Sequence, residues 1–288
     1  MFAQLLINSL IAGAIYSLVA VGFSLIYSVC RFVHFAHGAV IAYSGYLLYL
    51  FYQQLKFDFW LSVILALICG SILGWLIDFL VYKNLRKRKA SNVILLIASV
   101  AFLIIFESLI LIIWSAEIKN IGFIKISPGK EILGAIITPL QVIIIFVSII
   151  LLIIFSLFMK KSKLGKAMRA VSDNKNVAEV LGISAEKIYS YSFLIGSFIA
   201  GIAGILIGLE QNLEPTMGTS LMIKGFTSAI IGGVGSIPGS ILGSYLLGLA
   251  ENFGIWFLPS GYKDAIVFII LFLFLLIKPQ GILGKKKE

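Results

Sequence analysis

The sequence has very few charged residues for its length. Asp, Glu, Lys and Arg make up 12% of its 288 residues, whereas hydrophobic residues make up 60% and the mean hydropathy is +1.07. Soluble domains carry about 25% charged residues, so this chain has too little polar surface to cover an apolar core in water. The composition excludes a water-soluble globular fold, and most of the chain must be surrounded by lipid.

Cysteine and histidine are also scarce. Cys30 and Cys69 lie in or beside apolar segments without a partner pattern, so neither a disulfide framework nor a cysteine metal motif is predicted. The two histidines, His34 and His37, are three residues apart and have no nearby Cys, Asp or Glu to complete a metal site. No Ser-His-Asp or Cys-His arrangement is visible. We therefore predict no enzyme active site, no metal site and no cofactor bound by this chain itself.

Long apolar runs, in contrast, are abundant. Runs of about 20 apolar residues are long enough to cross a bilayer as helices, and the alternating pattern of a β-barrel is absent. We predict an all-α integral membrane protein with a single domain over 1–288, about eight full transmembrane helices and one short or broken helix at 221–234. The predicted full spans are 5–29, 36–55, 60–82, 92–114, 139–159, 188–209, 237–257 and 264–278.

Lysine and arginine are unevenly divided between the two sets of loops that these spans create. Loops rich in Lys and Arg remain in the cytoplasm, so the N-terminus is predicted outside and the C-terminus inside. The assignment requires that 221–234 crosses the membrane or re-enters it. The net charge of +10 is then a topology signal, and nucleic-acid binding is not predicted. The basic set holds seventeen residues, Arg31, Lys83, Arg86, Lys87, Arg88, Lys89, Lys160, Lys161, Lys163, Lys166, Arg169, Lys175, Lys187, Lys278, Lys285, Lys286 and Lys287; the other holds six, Lys56, Lys119, Lys125, Lys130, Lys224 and Lys263.

Two segments between the spans are long enough to have a structure of their own. Residues 115–138 form the largest external loop, which we interpret as a short lid or docking lip. Residues 160–187 form a charged cytoplasmic stretch. Within it, "NVAE" predicts a capping box with Asn176 as N-cap and Glu179 three residues later, and Gly182 is a natural helix end.

The predicted short helix in 160–187 has a small apolar face made of Val177, Val180 and Leu181. One interpretation is an interfacial helix that rests on lipid headgroups, which requires a larger apolar face. The other is a helix that docks into a groove on a cytoplasmic protein. The small face and basic rim favour docking.

Small residues recur every fourth position in two regions. Such stripes let helices approach closely in lipid, and they serve either tight packing or sliding during a conformational cycle. "IGGVGSIPG" lacks the Lys-Ser/Thr of a phosphate-binding loop, so we interpret it as a break before the following span. Broken helices often lie beside a water-filled path. The packing candidates are Gly196, Ala200, Gly204, Gly239 and Gly243, and the path candidates at the break are Gly232, Gly233 and Gly235.

Glu107 lies deep in the span 92–114 and should face the protein interior or a cavity. Structural pairing and a role in a translocation path both remain open for it. Lys224 in the short segment is a conceivable partner and is, like Glu107, a candidate residue of the translocation path. Glu251 and Glu210 lie toward external helix ends and are expected to be solvated.

Three stretches of the chain, "VHFAHGAVIAYSGY", "GKAMRAVSDNKNVAEVLGIS" and "KGFTSAIIGGVGSIPGSILG", resemble the permease subunits of branched-chain amino acid ABC importers of the LivH type. The resemblance covers nearly the whole chain in the same motif order. It implies a multi-pass subunit of a bacterial cell membrane that works by alternating access and carries no ATPase domain. The implied partners are a homologous permease or a second copy, two cytoplasmic ATPases that bind ATP, and an external substrate-binding protein.

The resemblance also assigns residues. It implies that Asp173, Asn176, Ala178, Glu179, Leu181 and Gly182 form a coupling contact with an ATPase. The family pattern near 34–38 usually reads Asn-Phe-Ala-Gln/His-Gly, whereas this chain has His34 first. That departure affects the substrate range if the segment touches the path, and it makes Phe35, His37 and Gly38 path candidates. Related permeases carry urea, short-chain amides and simple sugars, so these solutes stay open beside branched-chain amino acids.

Two other classes of function are weighed against an importer subunit. A stand-alone secondary transporter or channel is expected to place more ionisable groups in the membrane, and only Glu107 is clearly deep. A membrane-embedded enzyme needs clustered His, Asp or Glu at a membrane face, which the sequence lacks. Neighbouring genes for two ATPases and a binding protein would separate all three classes.

Overall fold

The computed structural model describes residues 2–123, 129–132 and 134–284 of the chain. Within these residues the fold is mainly helical, with twelve α-helices and one small two-stranded sheet. The helices are α1 Phe2–Cys30, α2 His37–Tyr49, α3 Phe59–Ile77, α4 Lys83–Lys87, α5 Asn92–Trp114, α6 Pro139–Lys161, α7 Lys163–Asp173, α8 Lys175–Val180, α9 Ala185–Glu210, α10 Met217–Gly232, α11 Ile237–Gly254 and α12 Lys263–Ile277, and the strands are β1 Lys130–Ile132 and β2 Ala135–Ile137.

Several helices begin at polar residues that bind the first free backbone N–H groups. The Asp58 carboxylate accepts hydrogen bonds from the N–H groups of Trp60 and Leu61 at the start of α3. Thr138 and Gln141 form a capping box at the start of α6. Because the first N–H groups of a helix have no partner within it, these side chains determine where the apolar helices begin.

Five helices are long and apolar enough to cross a membrane, or six if the bent pair α10 and α11 counts as one span. The five agree with the predicted spans 5–29, 60–82, 92–114, 139–159 and 188–209. The predicted span 36–55 becomes α2 and a π-helical turn, and 264–278 becomes the 15-residue α12. Fewer helices than the predicted eight are by themselves long and apolar enough to span, since α2 has 13 residues and α12 has 15, whereas a span needs about 20.

The predicted short helix at 221–234 is longer than expected and begins at Met217. Its axis and that of α11 are bent by 116°, so the chain turns by more than a right angle between them. The turn contains Gly233 with φ +108° and Gly235 with φ +86°, where a side chain would be strained. The break therefore lies where the glycine-rich sequence predicts it.

Helix α1 lies at the centre of the bundle and packs against α6, α9, α10 and α11. Most of its residues are buried, whereas α5 and α6 expose most of their isoleucine and leucine side chains. Apolar surface of that extent needs lipid or another protein to cover it. The bundle thus has a protein-enclosed central helix and peripheral helices with apolar outer faces.

Contacts between loops group them into two ends of the bundle. At one end, the Gln4 side chain forms hydrogen bonds with the backbone N–H and carbonyl of Ile136. At the other end, the Asn92 amide donates to the backbone carbonyl of Arg31, and the Arg31 guanidinium donates to the carbonyl of Ser172. We call the first the N-terminal end. The second end gathers the loops 31–36, 83–91, 162–184 and 233–236. We call it the basic end, because these loops carry many of the Lys and Arg residues.

The predicted external loop 115–138 lies at the N-terminal end. Lys119 exchanges two backbone hydrogen bonds with Leu213, at 3.1 and 2.8 Å, and the antiparallel strands β1 and β2 form a hairpin. Residues 124–128 and 133 lie outside the described residues. The role of this loop as a lid or docking lip stays a prediction.

Candidate functional site

The charged stretch 160–187 folds into two short helices at the basic end of the bundle. Helix α7 begins after Ser162, whose hydroxyl accepts a hydrogen bond from the N–H of Gly165 at 2.8 Å. Helix α8 begins after Asn174, whose side chain accepts from the N–H of Val177 at 3.2 Å. The structure therefore contains the short helix that the capping pattern predicts, and α7 precedes it over the stretch "GKAMRAV".

The prediction of Asn176 as N-cap is wrong by two residues. Asn174 holds that position because its backbone is extended, with φ −151° and ψ 108°, whereas Asn176 lies within α8. Glu179 therefore completes no capping box, and its carboxylate lies 3.9 Å from the Nζ of Lys175. Gly182 does end the helix, with φ +84° and its N–H bonded to the carbonyl of Glu179.

The two faces of this element have opposite surroundings. Val180 and Leu181 are 88% and 72% exposed, and Val177 is 55% exposed. Ala178 is 1% exposed and packs into the core of its own chain. The prediction that Ala178 contacts an ATPase is therefore wrong, because its methyl group is not accessible. The remaining predicted contact residues are exposed: Asp173, Asn176, Glu179, Leu181 and Gly182.

A partly buried ionic network joins the end of α9 nearest this element to the helix Phe59–Lys87, which is made of α3, a π-helical turn and α4. Arg86 lies 2.7 Å from the Asp78 carboxylate and 2.9 Å from that of Glu186. Asp78 is fully buried and also accepts a hydrogen bond from the hydroxyl of Ser190 at 2.9 Å. Arg86 stacks over the ring of Tyr189 at 4.8 Å. Every charge in the network thus has an opposite charge within contact distance.

Glu107 has a different partner from the one suggested by the sequence. Its carboxylate accepts a hydrogen bond from the Thr219 hydroxyl at 2.7 Å. The suggested pairing with Lys224 is wrong, because Thr219 and Lys224 are five positions apart on α10. Their side chains therefore point about 140° apart around the helix.

Lys224 instead forms the centre of a second charged cluster, near the N-terminal end. Its ammonium lies 3.0 Å from Glu251 on α11 and 3.4 Å from Asp264 on α12. The Tyr16 hydroxyl donates to the other oxygen of Glu251 at 2.7 Å. Glu251 is 2% exposed, so the expectation that it is solvated is wrong. Its helix packs along α1, which covers the carboxylate.

Two cavities adjoin this cluster. One has a volume of about 320 Å³ and reaches Glu251 and Asn252, and the other has a volume of about 410 Å³ and reaches Ser220 and Thr216. Tyr16, Ile207, Gln211 and Lys224 line both cavities. Volumes of roughly 300–1,000 Å³ are typical of small-molecule sites. Lys224 therefore lies between two spaces that are each large enough for a small solute.

The path candidates near the start of α2 are divided between surface and interior. His37 is fully buried, and Gly38 faces Gly218, whose carbonyl oxygen would lie 2.6 Å from an added Cβ. Phe35 is partly exposed, and its ring lies 5.5 Å from that of Phe226. Of these three candidates, Phe35 alone is positioned at a surface.

The predicted glycines lie at close helix contacts. A Cβ on Gly232 would lie 1.8 Å from the carbonyl oxygen of Gly239, which places the path candidate Gly232 in the packing between α10 and α11. Gly233 and Gly235 occupy the turn between these helices. The packing candidates are all buried: Gly196, Ala200, Gly204, Gly239 and Gly243.

Sequence reasoning missed the partners of Lys224. Glu251 follows an otherwise apolar helical segment, and that position alone marks it as an intramembrane charge. Its distance from Lys224 along the chain gives no sign that the two side chains meet. Tyr16 lies in an unbroken apolar run and carries no signal at all.

The family model described as the permease component of the branched-chain amino acid transport system matches residues 5–275. The chain belongs to this permease family. The permease is 31% identical to BraD of Pseudomonas aeruginosa, a high-affinity branched-chain amino acid transport permease, over 99% of this chain and 96% of that protein. It is 30% identical to LivH of Escherichia coli over the same shares. A probable LivH permease of Methanocaldococcus jannaschii is 30% identical over 98% of this chain and 92% of its own.

The permease also resembles a solved structure, PsaBC from Streptococcus pneumoniae in complex with Fab. The TM-score is 0.53 and the sequence identity is 16%, over 95% of this chain and 91% of that one. At this identity the likeness concerns the fold of the helical bundle. Family membership makes the permease a transport protein and accounts for its apolar helices.

Proposed function

We propose that the permease is a membrane subunit of an ATP-driven importer for branched-chain or similar amino acids in a bacterial cell membrane. The relatives BraD and LivH, both named as branched-chain amino acid transport permeases, support this substrate class. The proposed complex contains a second permease (a homologue or a second copy), two cytoplasmic ATPases and an external substrate-binding protein.

The observation that supports ATPase docking is the exposed apolar group Val177, Val180 and Leu181 on α8. On α7, Met168 and Val171 are buried, and Leu164, Ala167 and Ala170 are partly buried against the same core. The remaining outward apolar face has three residues, which is too small to hold a helix on lipid headgroups. A small apolar face on an ordered, capped element suits a protein groove.

The same element is well placed to transmit movement. Helix α8 leads through Gly182 directly into α9, which packs against α1, α2 and α3. The network of Arg86, Asp78 and Glu186 ties the start of α9 to the helix Phe59–Lys87. If ATP favours one ATPase arrangement by a few kcal/mol, a rigid connection of this kind passes that preference to the bundle.

The proposed orientation places the basic end in the cytoplasm. With that orientation α1 runs inward, and α10 runs from mid-bundle to the basic end, where Leu283 bonds to Gly232. Helix α11 then returns alongside α1, with Ser240 beside Ser24 near one end and Gly248 beside Ser9 near the other. If every long helix crosses once, including the shorter α2, α10, α11 and α12, the chain makes nine passes and its two ends lie on opposite sides. With the basic end in the cytoplasm, the N-terminus is outside and the C-terminus inside.

Co-purification tests the docking proposal. The permease is co-expressed with the ATPases of its transport system and isolated through a tag, as wild type and with Leu181→Glu. We expect the ATPases to be recovered with the wild type. With Leu181→Glu the amount recovered should fall at least tenfold, because burying a charge in an apolar groove is costly. Leu55→Glu, the same change at an exposed leucine outside the segment 160–187, is the matched control and should retain them.

Either of two results would overturn the proposal. In one, Leu181→Glu retains both the ATPases and transport. In the other, the permease alone moves leucine into vesicles without ATP, which indicates a secondary transporter or channel.

A further inference from the structure

The cluster around Lys224 combines both signs of charge in a mostly enclosed place. Lys224 is 13% exposed and Glu251 is 2% exposed, and their charged atoms are 3.0 Å apart. Charges buried in a membrane bundle are costly, and replacing such a pair by apolar residues is often neutral or stabilising. Packing alone therefore gives no reason for this pair, and charges in such positions commonly mark a solute path.

The cavities place this pair where a solute can reach it. Lys224 and Tyr16 line both cavities, whereas Glu251 lines the smaller one. Aliphatic side chains lie beside the charges, including Ile11, Ile15 and Ile207 in the smaller cavity. The site therefore offers a cation, an anion and an apolar wall within one volume.

We infer that the Lys224–Glu251 pair is a binding site for the charged groups of a zwitterionic α-amino acid with an aliphatic side chain. Lys224 binds the substrate carboxylate, Glu251 binds its ammonium, and the isoleucines contact the side chain. Tyr16 positions Glu251 through its hydroxyl. This inference rests on the proposed function and adds to it a site within the membrane subunit.

Charge balance favours this ligand class. A zwitterion has no net charge, so it can insert between Lys224 and Glu251 and leave each charge with an opposite partner. A simple anion bound to Lys224 would leave the buried Glu251 carboxylate without a cation in a low-dielectric space, which is costly. A simple cation bound to Glu251 would leave Lys224 with the exposed Asp264 as its remaining acidic partner. The ligand must also compete with the existing ion pair. We therefore expect weak, millimolar binding, which is compatible with release along a path.

Direct binding to the purified complex of permeases and ATPases, prepared without the substrate-binding protein, tests the site. The probes are L-leucine, L-leucinamide, which lacks the carboxylate, and 4-methylpentanoate, which lacks the ammonium. In the wild type we expect L-leucine to bind roughly tenfold or more tightly than either analogue, since each loses one charge-assisted contact. Isothermal titration calorimetry at millimolar ligand measures the three affinities.

Variants separate a ligand contact from a structural role. Lys224→Met should weaken leucine binding about tenfold and remove the preference for leucine over leucinamide, because the carboxylate then has no partner. Glu251→Gln should remove the preference for leucine over 4-methylpentanoate. Lys224→Arg should restore part of the affinity. Lys119→Met removes an ion-paired lysine at the same end that lines neither cavity, and it should change nothing.

Outcomes for the site and for the importer are distinguishable. ATP-driven leucine uptake by the assembled wild-type complex tests the importer separately. The site is refuted if that complex transports leucine while the permease binds none, or if both variants keep the wild-type preferences. Size-exclusion profiles and retained ATPases show that each variant is folded. If Lys224→Met fails this check, the Lys224→Arg and Glu251→Gln results decide.

Discussion

Individual glycines determine how closely the helices of this permease approach each other. A Cβ on Gly204 of α9 would lie 2.0 Å from the carbonyl oxygen of Ile41 on α2. A Cβ on Gly243 of α11 would lie 2.1 Å from the carbonyl oxygen of Ser228 on α10. The obstacle in each case is backbone, which cannot rotate away as a side chain can. Small residues at these points are therefore a requirement of the packing.

We expect Gly204→Ala to destabilise the permease by about 1–3 kcal/mol, because α2 and α9 must move apart. The effect is measured as a shift in the thermal unfolding midpoint of the purified protein. Unfolding is monitored through the loss of the monodisperse fraction. Gly261→Ala is the control, since nothing lies within 4 Å of a Cβ there. An unchanged midpoint for Gly204→Ala would contradict the packing argument.

At this scale the sequence is informative about small residues and uninformative about charge pairing. Spacing alone singles out Gly204 and Gly243 as packing residues. Spacing does not reveal that Glu107 contacts Thr219 or that Lys224 contacts Glu251. Those pairings depend on how α10 is rotated against its neighbours, which no local pattern records.

Between elements, Arg86 is the main ionic connection from the start of α9 to the helix Phe59–Lys87. It neutralises Asp78, which is completely buried, and it binds Glu186 on α9. The residues Asp78–Tyr82 form a π-helical turn that joins α3 and α4 and carries this carboxylate. Irregular turns of this kind often mark functional positions in helices.

We expect Arg86→Met to lower the free energy of unfolding by about 3–5 kcal/mol, because it leaves the Asp78 carboxylate buried without a cation. Adding Asp78→Leu should recover most of the loss, since neither charge then remains. Urea or thermal unfolding of the purified variants provides the comparison. Arg88→Met, an exposed arginine two residues away, serves as the control. If the double variant is no better than Arg86→Met, desolvation of Asp78 is not the cause.

The boundaries of the short cytoplasmic helices show where local rules fail. Both Asn174 and Asn176 are good cap residues, and the Glu three positions after Asn176 makes the second the stronger sequence candidate. The structure selects Asn174 because α7 ends just before it and leaves its backbone extended. The choice was made by the preceding helix, not by the capping residues.

For the whole molecule, the distribution of basic residues predicts the orientation in the membrane. The loops that carry most of them meet at one end of the bundle, as the contacts between Arg31, Asn92 and Ser172 show. The structure establishes that grouping. Which end faces the cytoplasm follows from the preference of Lys and Arg for that side.

Cysteine labelling tests the orientation. Single cysteines are placed at exposed positions, Gln54→Cys at the N-terminal end and Lys166→Cys at the basic end, after Cys30 and Cys69 are changed to alanine. An impermeant maleimide should label Gln54→Cys in intact cells and Lys166→Cys only after lysis. Labelling in the opposite order would reverse the proposed topology.

The sequence by itself determined the membrane environment, the helical class, the glycine break and the family resemblance, because composition and local periodicity encode each of them. Only the tertiary structure decided which charges pair, which helices are enclosed, and that Ala178 faces inward while Leu181 faces outward. Those features depend on the packing of helices that are distant along the chain. The cavities at Lys224 belong to this second group, since α1, α9, α10 and α11 must come together before any space exists between them.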